Sequence, residues 1–165
     1  MVQSAVVWIV EPLALETRAG NRIPNRPRLE QVAARRKAAV ELILRSHISA
    51  KVRSATGVYN CFGMVFANRR TWVDNDDGTT VGVILRDDEY RRIAAQDVEL
   101  GDVVIYRNDD EVTHVGIVSD VNPLSGGMTV LSQWGADGEY FHEIGDVHPS
   151  LGRPQEYWTE RRPVP

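Results

Sequence analysis

The chain has a single cysteine, Cys61, in 165 residues, and that scarcity excludes an intramolecular disulfide and any thiolate-rich zinc site. Whatever Cys61 does, it does alone or with partners other than cysteine. No apolar run approaches the length that spans a bilayer, so no membrane segment is expected. An excess of basic charge is lacking too: 19 Lys and Arg against 23 Asp and Glu leave a net charge of −4. Phosphate neutralisation needs a clustered basic surface, so no nucleic-acid footprint is expected. The short runs Arg35-Arg36-Lys37, Arg69-Arg70, Arg91-Arg92 and Arg161-Arg162 read as solvated faces. No secretory leader is expected either, since no basic residue precedes the apolar run Ala5 to Val10 and Glu11-Pro12 cuts that run off. The expected location is the cytoplasm as synthesised, or export by a route that reads no N-terminal signal.

What is present fits one soluble α+β domain, with a hydrophobic share of 42% and a charged share of 25%. Residues 1–28 read as an irregular arm, because Pro24 and Pro27 block helix among Gly, Asn and Arg. Residues 29–73 read as the helical part. Within it, Leu29 to Ser46 has helical periodicity, and Asn60 stands as an N-cap before Cys61, Met64, Val65 and Trp72. Asp74 to Gly78 is a turn that lacks the downstream Glu of a calcium loop. Arg86 to Tyr90 reads as a short helical turn. Residues 79–148 are assigned to an antiparallel sheet with strands Val103–Tyr106, Val112–Val118, Met128–Trp134 and Glu139–Ile144 in a meander. Residues 149–165, with Pro149, Pro154, Pro163 and Pro165, read as an irregular tail wrapped over that sheet.

A thiol becomes a strong nucleophile as thiolate, which a helix N-terminus and a neighbouring imidazole both favour. Cys61 at a helix start, followed by His114 on a strand, offers both. The same helix start leaves backbone N–H groups free to face the oxygen of a tetrahedral intermediate. A base of this kind needs a third group to hold its ring. Ser132 and Gln133 on the next strand point to opposite faces, so only one of them can meet His114, and His142 one strand further is a third candidate. Register decides among the three.

The residues Tyr59-Asn60-Cys61-Phe62-Gly63 resemble the Asp-Cys-Ser-Gly helix start of NlpC-type cysteine peptidases, with Asn60 and Phe62 in place of Asp and Ser. Leu100-Gly101-Asp102-Val103-Val104-Ile105-Tyr106 and Thr113-His114-Val115-Gly116-Ile117-Val118 are similar to that family's Gly-Asp strand and His-Val-Gly-Ile strand. The resemblance covers about Gly57 to Trp134. It implies a papain-like fold, Cys61 as nucleophile, His114 as base, and a third polar residue near Ser132. It also implies amide hydrolysis of a bacterial cell-wall peptide, which needs either an export route or a delivery partner; an inhibitor protein is the other partner considered, and no cofactor or metal is expected. Relatives act as amidases, deamidases or acyltransferases. In the lecithin-retinol type of acyltransferase the His precedes the Cys, so the order here favours the peptidase or amidase branch.

The rival expectation is a papain-like binding or interaction module without catalysis. Taken alone, a Cys in a helix is most often a small buried hydrophobe and a His on a strand is structural. Trp134, Tyr140, Phe141, Tyr157 and Trp158 read as packing more readily than as a substrate groove. Asp102 suits a turn at a strand entrance, and His47 and His148 show no partner pattern.

Overall fold

The structure is a computed structural model and describes residues 11–162. The run Ala5 to Val10, together with Pro163 and Pro165, lies outside the described residues. The chain forms β1 (Asn25–Arg26), α1 (Ala33–Ser46), β2 (Lys51–Ser54), α2 (Cys61–Phe66), β3 (Trp72–Val73) and α3 (Thr80–Asp87). It continues through β4 (Arg91–Ile93), β5 (Val103–Asn108), β6 (Glu111–Val121), β7 (Met128–Gln133), β8 (Glu139–Glu143) and β9 (Arg153–Thr159).

The architecture is mixed α+β, built on a seven-stranded antiparallel sheet of order β2-β8-β7-β6-β5-β9-β4, with β1 and β3 paired separately. The expected meander is present as β5 to β8, where the polar turns set between the apolar runs close each hairpin. The motif glycines are explained by close approach. A Cβ on Gly116 would lie 2.3 Å from a Val130 methyl, and one on Gly63 would lie 1.8 Å from the Thr71 carbonyl oxygen. Only glycine lets β7 and the Thr71 backbone come this near.

Four expectations are corrected. The first helix starts at Ala33 rather than Leu29, because the preceding side chains are tied elsewhere. Glu30 accepts from Gly57 N–H at 2.9 Å and Gln31 donates to the Ala136 carbonyl at 2.9 Å, which holds that stretch against other segments. Trp72 is not helical. After Phe66 the chain reverses through Asn68 and Arg69, both left-handed at φ 49° and 63°, and Trp72 enters β3 with the Arg28 guanidinium 4.3 Å over its ring.

The stretch taken as the start of the sheet is α3, whose end contains the Arg86 to Tyr90 turn. Val81, Ile84 and Leu85 bury its inner face. The tail assigned as irregular contains β9, which lies between β5 and β4. Its Pro154 sits where the β5 to β9 register shifts between Ile105 and Tyr106, a place in a sheet where a missing N–H donor is tolerated.

The two faces of the sheet carry different cores. Val103, Ile105, Val112 and Val115 pack with Cys61, Phe62, Val81, Ile84 and Leu85 on the side of α2 and α3. Val104, Tyr106 and Val130 form the other face, under the Ile144 to Val147 segment. Beyond them Val40 and Ile43 of α1 pack against Trp134 and Tyr140.

Candidate functional site

Cys61 opens α2, and Asn60 is its N-cap: the Asn60 Oδ1 accepts from Gly63 N–H at 2.8 Å. The thiol is buried at 6% exposure. Burial pushes its pKa up to about 11, against the opposing pull of the N–H groups of Val115, Phe62 and Cys61 itself, which face the sulfur.

The Val115 amide is free to do this because the sheet opens there. Val118 exchanges hydrogen bonds with the Gly101 and Asp102 backbone on the β5 side, so Val115, at odd spacing from it, turns its N–H toward β7. The β6 to β7 register begins only at Ile117 opposite Leu131. Cys61 and the Val115 side chain share the apolar cluster on this side of β6.

His114 is the residue before Val115 and has no exposed surface. It is paired in register with Tyr106, whose ring centroid lies 5.2 Å from its own, so it leaves the strand on the face opposite to the Val115 side chain. Neither ring nitrogen has a hydrogen-bond partner. Burial, with the nearby His142 adding to it, lowers its pKa to about 3. The ring is neutral at ordinary pH.

No hydrogen bond joins Cys61 to His114, which corrects the expectation of a preformed pair. Burial raises the thiol pKa and lowers the imidazole pKa, so proton transfer between them in this packed state is unfavourable. Chemistry from this arrangement requires the two groups to be brought together, so that each charge stabilises the other.

The three candidates for the third position do not hold His114 either. Ser132 and His142 bond each other, Oγ to Nε2 at 2.8 Å, and the His142 Nδ1–H donates to the Glu143 carbonyl at 2.8 Å. Since Nδ1 carries the proton, Ser132 is the donor to Nε2, while its oxygen accepts from Trp134 Nε1–H at 3.0 Å. Its single donor is thus committed to His142 and one of its two lone pairs to Trp134. Burial lowers the His142 pKa, with the Glu143 hydrogen bond acting the other way. Gln133 points to the α2 side, where its Nε2 donates to the Thr56 and Gly135 carbonyls and its Oε1 is buried without a partner.

A carboxylate that sequence reasoning passed over supports the segment before Cys61. Glu139 has no exposed surface, and it accepts from Tyr59 Oη at 2.5 Å and from Arg69 Nη2 at 2.8 Å, with Arg53 Nη1 at 3.1 Å. Burial alone would raise its pKa, but the Arg69 and Tyr59 hydrogen bonds hold it below the usual carboxylate range. The register itself held the signal, since Gln133 and Glu139 are direct partners flanking the Gly135 to Gly138 turn.

Asp102 takes the turn role expected of it, accepting from Glu99 N–H at 2.8 Å and from Arg161 Nη2 at 2.6 Å. His47 is no bystander: its Nδ1 lies 2.8 Å from Asp146 Oδ1. Ninety-nine residues separate the two, so no local pattern announces the pair.

The chain matches no known family model, and comparison with curated proteins and with solved structures returns no match. Among the described residues no helix is long and apolar enough to cross a membrane.

Proposed function

We propose that the protein is a cysteine hydrolase of papain-like type that cleaves an amide bond, with Cys61 as nucleophile and His114 as base. The observation that carries this reading is the buried, unpartnered His114 imidazole, one peptide from the Val115 amide that receives the Cys61 sulfur. An unsatisfied buried polar group costs about 1–3 kcal/mol, a cost that a catalytic role accounts for. The motif order that resembles NlpC-type peptidases supports the same assignment.

In this mechanism His114 takes the thiol proton as sulfur bonds to the substrate carbonyl carbon. The N–H groups at the start of α2 hold the developing oxyanion. The C–N bond then breaks, and the imidazolium gives its proton to the leaving amine. Water, deprotonated by His114, releases the acyl group from the thioester. Because His114 leaves β6 on the face away from Cys61, this mechanism requires β6 to turn at His114 before the transfer. The substrate class that the resemblance favours is a cell-wall peptide, reached by a signal-independent route or with a delivery partner.

One observation favours a second reading, a papain-like module that binds without catalysis: the thiol is buried and stays protonated to about pH 11. Incubation with purified peptidoglycan fragments, read by mass spectrometry, separates the two. The hydrolase reading expects new cleavage products and an acyl adduct on Cys61, both lost in Cys61→Ala. No products, or equal products from Cys61→Ala, would leave the binding module standing.

A further inference from the structure

A cleft of about 600 Å³ opens between the C-terminal half of α1 and the turn after β7. Cys61 and His114 are not among its lining residues. Its apolar wall is Leu42 and Ile43 from α1, Trp134, and Leu151 from the turn before β9. Its polar lining is Ser46, His47, Asp137, His148 and Ser150, and no lysine or arginine lines it.

The protons on these polar groups are already committed. Asp146 accepts from Ser49 and His47, and although burial acts to raise its pKa, the Ser49 hydrogen bonds hold it below the usual carboxylate value. It is thus an ionised acceptor, and the His47 Nδ1 lies 2.8 Å from it. The Ser46 hydroxyl donates to the Leu42 carbonyl at 3.0 Å. His148 Nδ1 accepts from Ser150 N–H at 3.2 Å, so it carries no proton and the Ser150 hydroxyl donates to it at 2.8 Å.

What the lining offers a ligand are the lone pairs of Ser46 and Ser150 and the carboxylate of Asp137. Among the described lining residues no lysine or arginine opposes the Asp137 carboxylate.

We infer that this cleft binds a primary ammonium carried on an apolar body. The apolar part rests against Trp134, Leu42 and Leu151, and the ammonium donates its three N–H bonds to Asp137 and the free lone pairs. The inference does not rest on the hydrolase reading, since it invokes no group of that mechanism.

The test is titration of the full chain with phenethylamine, with phenylacetate and 2-phenylethanol as the anionic and neutral counterparts, followed by calorimetry and amide chemical shifts. The expected result is binding of the amine with shifts on α1 and the Gly135 to Asp137 turn, and little binding of the other two. Asp137→Asn weakens the amine about fivefold, as for a partly exposed ion pair. Leu42 is 66% exposed, so Leu42→Lys leaves the fold intact while placing a cation in the cleft, and it abolishes amine binding. Equal binding of phenylacetate and phenethylamine, no binding of the amine, or amine binding unchanged in both variants would each overturn the inference.

Discussion

Asn60 and Val73 are locked together in both directions: the Asn60 Nδ2 donates to the Val73 carbonyl at 2.8 Å, and its Oδ1 accepts from Val73 N–H at 3.1 Å. The same Oδ1 caps α2 through Gly63 N–H. One side chain thus ties β3 to the start of the helix that bears Cys61. The aspartate of the resembled motif lacks the donor that the Val73 carbonyl requires, which gives a physical reason for Asn at this position.

Asn60→Asp is therefore expected to destabilise the fold by about 2 kcal/mol at neutral pH. The cap acceptor survives, but a carboxylate oxygen faces a buried carbonyl with no proton between them. Chemical denaturation of the variant and the parent at pH 7 measures it. Equal midpoints would mean that the Val73 carbonyl finds another donor.

The buried carboxylate of Glu139 gives a second prediction. Glu139→Ala removes the common partner of Tyr59, Arg69 and Arg53 and leaves Arg69 and the phenol unpaired beneath the surface. Breaking such a cluster from one side costs about 3 kcal/mol. Thermal unfolding should show a drop of several degrees. Loosening of the Tyr59 segment should also make Cys61 more reactive to iodoacetamide. A variant with parental stability and unchanged thiol reactivity would detach this cluster from the site.

The meander and the helix start at Cys61 were legible because each depends on local chemistry: alternating apolar residues between polar turns, and an Asn before an apolar helical run. That His114 leaves β6 away from Cys61, against the expected pair, was not legible, for two physical reasons. Side-chain parity along β6 places Val115, not His114, on the α2 face, and that parity is set by the Tyr106 to His114 register across the hairpin. The approach of the sulfur to the strand depends on where the β6 to β7 ladder ends, which the Asn122 to Gly127 turn does not specify. The strand β9 was hidden because Pro154 reads as a breaker until its position at a register shift is known. The His47 to Asp146 and Tyr59 to Glu139 pairs join distant segments, and no spacing rule reaches them.

The last prediction concerns His114 and acid. Its pKa in the fold is depressed to about 3 from 6.5, so between those values the unfolded chain holds a proton that the folded chain does not. Stability is then full above pH 6.5 and falls as pH drops, by about 1.4 kcal/mol for each pH unit well inside that range. His142, also lowered, adds to the same slope. Carboxylates with lowered pKa values, such as Asp146 and Glu139, lose their contribution only at lower pH. The histidines thus dominate from about pH 6 to 4.5.

His114→Leu removes both the titration and two unsatisfied nitrogens. The variant should be more stable at pH 7 by about 1–3 kcal/mol. Its stability should fall less steeply between pH 6 and 4.5, by about one proton's worth of slope, and it should lose all hydrolysis. Denaturation midpoints across that range, compared with the parent, give the answer. A variant with the parental slope would show that His114 is already partnered or hydrated in solution, and would remove the observation on which the hydrolase reading rests.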